Sequence, residues 1–117
     1  MTQKVIAQIV GVVLTLVGVI GFFTGGMLWV FGLNMLHNVI HLVAGVVGLV
    51  CGFYAAGKWA SGYNKVFGVV YLLVGILGFA AAGFMSSLLA TNMADNVLHL
   101  VLGIVLAGVG FGTNPTA

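Results

Sequence analysis

The sequence predicts an all-α fold: a four-helix transmembrane bundle built from two parallel helical-hairpin repeats, with both termini cytoplasmic. Three observations predict it. The chain is 62% hydrophobic and carries only three Lys or Arg and one Asp or Glu, too few charges to surround a soluble core with a polar surface. Its apolar residues fall into four runs, each close to the roughly 20 helical residues that cross a hydrocarbon layer about 30 Å thick. The third observation is a repeat: "NMLHNVIHLVAGVVGL" from Asn34 to Leu49 returns as "NMADNVLHLVLGIVLA" from Asn92 to Ala107.

The first run, Val5 to Phe23, follows Lys4 in the manner of a signal peptide. It is longer than a signal-peptide core and "FFTGG" offers no small-x-small cleavage site, so the run is read as a retained span. Ala7, Gly11, Thr15 and Gly18 recur along it at steps of three and four, a small-residue ladder that lets a neighbouring backbone approach closely. The loop that follows, "TGGMLWVFGL", is apolar and holds Trp29, which suits the headgroup level.

The second helix, whose span runs from Asn38 to Ala56, carries Asn34, Asn38, His41, Gly45, Gly48 and Gly52 on one face from just before the span onward, with His37 beside them. Cys51 lies within it and has no intrachain partner, so it reads as a small buried residue. The connection "AGKWASGYNK" contributes Lys58 and Lys65, and with Lys4 it places all three lysines on one side of the membrane. By the positive-inside rule that side is cytoplasmic. A net charge of +2 spread this way is a topological signal and predicts no nucleic-acid binding.

The third span, Val66 to Phe84, repeats the first: "LVGVIGF" from Leu16 to Phe22 returns as "LVGILGF" from Leu73 to Phe79. Gly68, Gly75, Gly78 and Ala82 form its ladder. After the apolar loop "MSSLLATNMAD", the fourth span, Asn96 to Phe111, repeats the polar face with Asn92, Asn96, His99 and Gly103, and with Asp95 in the place of His37. Each unit holds an even number of spans, so the copies enter the membrane in the same direction. Residues 1–117 are thus read as one integral membrane domain, with repeat one about 1–58 and repeat two about 59–117. Transmembrane β-strands would be shorter and alternate in polarity, which these runs do not.

The polar residues occupy the first turns of spans two and four, near the outer surface. A structural role accounts for them if Asn34 and Asn92 cap helices, Asn38 and Asn96 bond across helices, and His41 and His99 reach carbonyls of neighbouring spans. Asp95 would also gain from the helix dipole. The alternative is a cofactor. His37, His41, Asp95 and His99 are of the types that hold zinc, copper, iron or nickel, and i, i+4 spacing presents two ligands to one ion. His41 and His99, each with a Gly four residues deeper, also suit a haem or chlorophyll. No Ser, Cys or carboxylate pair is set in a recognisable nucleophile or acid–base arrangement, so no enzyme and no catalytic residue is expected.

The Asn-x-x-His-x-x-x-Gly pattern of Asn38, His41 and Gly45, repeated at Asn96, His99 and Gly103, together with "VVYLLVGILGF", resembles a bacterial domain-of-unknown-function family of small four-span membrane proteins. The likeness covers most of the chain. It implies a bacterial inner or plasma membrane and a role such as an accessory subunit, whose partners are the lipid bilayer and a larger complex or further copies of itself. The leading expectation is a non-enzymatic structural or accessory subunit without a cofactor. The rival is a membrane subunit holding a metal or tetrapyrrole.

Overall fold

A computed structural model describes residues 2–115. Four long helices run through the bundle: α1 (Thr2–Gly21), α2 (Met35–Phe53), α3 (Ala60–Ala80) and α5 (Met93–Gly112), with a short α4 (Ala82–Leu89) before the last. A two-stranded antiparallel hairpin, β1 (Met27–Leu28) and β2 (Phe31–Gly32), caps the same end as α4. All four long helices are long and apolar enough to cross a membrane. The longest dimension of the described residues, 39 Å, is close to the roughly 40–45 Å of a bilayer with its headgroups.

Inside and outside are reversed relative to a soluble protein. Ile9, Leu16, Val43, Val50, Leu73, Ile76, Val101 and Ile104 are exposed, as lipid-facing side chains should be. The buried positions are shared among Gly, Ala, polar residues and a small apolar cluster that includes Val10, Leu14, Tyr63 and Leu106. α1 packs chiefly on α2, and α3 chiefly on α5. The ladders lie at those seams: Gly11 meets the backbone of Gly48 and Leu49, Gly18 that of Leu42, and Gly52 that of Gln8. In the second pair Gly68 meets Ala107, Gly75 meets Leu100, and Gly103 meets Leu72.

The third span is corrected at both ends, and its helix begins at Ala60 rather than Val66. The third span stops at Ala80 rather than Phe84, because Ala81 leaves helical conformation (φ −133°, ψ 53°) and the chain restarts as α4. Ala82 therefore lies exposed outside the ladder in which the sequence placed it. At the lysine end, a single 3-10 turn (Tyr54–Gly57) reverses the chain with Ala55, Ala56 and Gly57 all at positive φ. Gly57 also abuts the Lys4 stem, so a side chain there would be excluded by both conformation and space.

The lysine end carries a polar clasp between the two helix pairs. Gln3 Nε2 donates to Val109 O (2.9 Å) and Thr113 Oγ1 (2.8 Å), and Gln3 Oε1 accepts from Asn64 Nδ2 (2.9 Å). Gln3 and Asn64 are 1% and 0% exposed, so their amides depend on one another for hydrogen bonds. Asn64→Leu should lower stability by about 1–3 kcal/mol, since it strands the Gln3 carbonyl. The unfolding midpoint in mild detergent measures this, and an unchanged midpoint would show the clasp to be energetically idle.

Candidate functional site

α2 and α5 both begin at the hairpin end, and their first residues fix everything below them. Asn34 caps α2 by accepting from the His37 amide (2.8 Å), and Asn92 caps α5 by accepting from the Asp95 amide (3.0 Å). Asp95 Oδ2 returns a bond to the Asn92 amide (2.9 Å), completing a capping box. Each cap then reaches across to the other half of the molecule: Asn34 Nδ2 donates to Leu88 O (3.0 Å) and Asn92 Nδ2 to Val30 O (2.9 Å). Asn92→Ala should cost about 1–2 kcal/mol by the lost cap alone, read as an earlier unfolding midpoint.

Positions 37 and 95, equivalent in the two polar segments, make matching cross-links. Asp95 Oδ2 accepts from the Gly32 amide (2.9 Å), and His37 Nδ1 lies 2.9 Å from Leu89 O. A backbone carbonyl only accepts, so the His37 proton resides on Nδ1. That leaves the lone pair on Nε2, which is buried with no hydrogen-bond partner.

One turn deeper, about 9 Å along α2 from Met35, lies His41, with His99 opposite it on α5. The ring centroids of His37 and His41 are 4.3 Å apart, those of His37 and His99 5.4 Å, and those of His41 and His99 6.2 Å. All three are 6% exposed or less, and one ligand nitrogen from each lies within 4.8 Å of the others. The carbonyl bonds expected of His41 and His99 are not what holds them, because Nδ1 of each is buried without a partner.

The four residues singled out as metal ligands thus divide. His37, His41 and His99 converge, whereas Asp95 directs Oδ2 to the Gly32 and Asn92 amides while lining a cavity that also touches His41. Asn96 Nδ2 donates to Gly78 O on α3 (2.9 Å), and the Asn38 amide rests against Gly21 on α1, so both asparagines serve the helix seams. Gly45 and Gly103, expected to leave room for a macrocycle, are closed over by Thr15 and Leu72.

Tyr71 was missed from sequence. It is 3% exposed, its hydroxyl is unpartnered, and its ring centroid lies 5.6 Å from that of His99. Its signal was the ladder itself, because Asn64, Gly68, Tyr71, Gly75 and Gly78 share one face of α3 at steps of three and four.

A four-helix bundle of lipid-facing apolar helices around a buried polar cluster defines a small integral membrane protein. A family model described as a domain of unknown function (DUF4383) matches residues 4–112, and the chain belongs to that family. No curated protein matches the chain, and no solved structure does.

Proposed function

We propose that this membrane protein holds a single transition-metal ion through His37, His41 and His99. The observation that carries the reading is the convergence of three buried imidazoles, one of them fixed by Leu89 O in the tautomer that presents Nε2. A metal-ligating histidine typically donates its other ring N–H to a carbonyl or carboxylate, which orients the ring and raises its basicity. Buried nitrogens left unpaired cost about 1–3 kcal/mol each, so a purely structural core would be better served by apolar side chains. An ion turns those lone pairs into ligands.

Imidazole suits zinc, copper, iron and nickel. Charge narrows the set, since the cost of placing an ion in an apolar core grows as the square of its charge and the three ligands are neutral. A singly charged ion, copper(I), is favoured, with the Asp95 carboxylate beside the cluster as its counter-charge. Metal–nitrogen bonds of about 2.0 Å place the nitrogens about 3.4 Å apart, so loading draws in nitrogens that lie within 4.8 Å of one another. A bare ion is supported over a tetrapyrrole because His37 stands close to both His41 and His99, and because the glycines below them are packed.

The lysines at one end support a cytoplasmic placement of both termini, with the histidines toward the outer leaflet. The chain has a single acidic side chain, Asp95, and its Oδ2 is committed to the capping box, which supports a holding role rather than catalysis, within a larger assembly or a self-associated one. Elemental analysis of protein purified in mild detergent from copper-supplemented cells tests the reading. About one copper per chain is expected, lost in His37→Ala and in His99→Ala and kept in Gly108→Val, where nothing lies within 4 Å. Metal-free native protein would refute it and leave the histidines as packing groups.

A further inference from the structure

The metal site as proposed uses three ligands from α2 and α5, which leaves a coordination position open. A cavity of about 120 Å³ lies against it, lined by all three histidines, Tyr71, Ile40 and Val70. We infer that this cavity binds a small neutral diatomic molecule with a hydrogen-bond-accepting end, which enters from the lipid between α2 and α3 and ligates the ion. The inference rests on the metal reading and adds to it the ligand, its route and the residue that orients it.

Size excludes most alternatives. An apolar cavity of about 150 Å³ accommodates benzene or xenon, so a space of about 120 Å³ admits a molecule of that size or smaller, a diatomic gas among them, and no lipid-sized quinone. The route sets the charge of the ligand. Ile40 on α2 and Val70 on α3 line the cavity while being 40% and 41% exposed, so its mouth lies on the lipid-facing surface. α2 packs chiefly on α1 and α3 chiefly on α5, which leaves the α2–α3 seam comparatively open. An ion or a strongly hydrated molecule does not take that path, because burial without partners removes its hydration.

Tyr71 sets the polarity. Its hydroxyl is a donor buried without a partner, on a residue that shares the cavity with the imidazoles. Such a group costs about 1–3 kcal/mol unpaired, and the outer atom of a metal-bound diatomic molecule supplies the missing acceptor. Tyr71 is thus a positioning residue for the bound ligand. The binding involves no electron transfer: the ligand donates a lone pair to the ion, and no bond within it breaks.

Carbon monoxide on the copper(I)-loaded full-length protein, under anaerobic conditions in phosphatidylcholine nanodiscs, tests this by infrared spectroscopy. One carbon monoxide per bound copper and a single C–O stretch are expected. Tyr71→Phe should keep that stoichiometry and move the stretch to higher frequency, because the hydrogen bond favours back-donation. Val70→Trp should slow recombination after flash photolysis several-fold and leave the frequency alone. Copper without a carbon monoxide band would overturn the inference while the metal reading stood. A stretch unchanged in Tyr71→Phe removes the positioning role, an unchanged recombination rate in Val70→Trp removes the lipid route, and failure to bind copper removes both readings.

Discussion

Gly45→Val should dismantle the α1–α2 pair. At Gly45 the backbone of α1 lies so close that any Cβ would strike the Thr15 amide nitrogen and Cα. Neighbouring contacts leave no slack: a Cβ at Gly11 would stand 2.6 Å from the Leu49 amide nitrogen, and one at Gly48 2.9 Å from the Gly11 Cα. Inserting side-chain volume into a packed core costs about 1–3 kcal/mol where neighbours can move, and here the neighbour is helix backbone. The displaced helix would also lose contact with the next glycines along the seam, because lipid provides no hydrophobic drive to restore it. Gly108→Val is the matched control, since nothing lies within 4 Å of that position. The unfolding midpoint in a graded sodium dodecyl sulfate titration should fall strongly for the first variant and stay near wild type for the second. Equal midpoints would show that helix contact does not depend on these glycines.

The second large effect changes sign with metal. Replacing His41 and His99 together by leucine removes buried nitrogens that are unpartnered in the metal-free fold. Without copper, the variant should therefore be at least as stable as wild type. With copper(I) at about a hundred times its dissociation constant, wild type should gain about 2.7 kcal/mol and the variant nothing. A structural role predicts the reverse order, with the variant less stable in every condition and copper without effect on either protein. The comparison separates the two readings because each assigns a different sign to the metal-free difference.

Spans one, two and four were legible because hydropathy and length alone decide them, and the caps Asn34 and Asn92 were legible because capping is local. The end of α3 was not, since "GFAAAGFM" contains no proline or polar break to mark the turn at Ala81. The hairpin from Met27 to Gly32 was read only as an apolar loop. Its register depends on bonds that Gly32 and Val30 make with Asp95 and Asn92, more than sixty residues away. The metal candidates were legible as a set of four on two helices. Which three converge depended on how Leu89 and Gly32 engage positions 37 and 95, information that helix periodicity does not contain. Gln3, Asn64 and Tyr71 continue the small-residue ladders at the same spacing, but their size hides them in a pattern defined by small residues.

Copper K-edge X-ray absorption of the copper(I)-loaded protein measures the proposed coordination directly. Three nitrogen ligands at about 2.0 Å, with the outer-shell scattering of imidazole and no sulfur shell, are the predicted result. A sulfur ligand, or fewer than three imidazoles, would contradict the assignment of His37, His41 and His99 as the metal site.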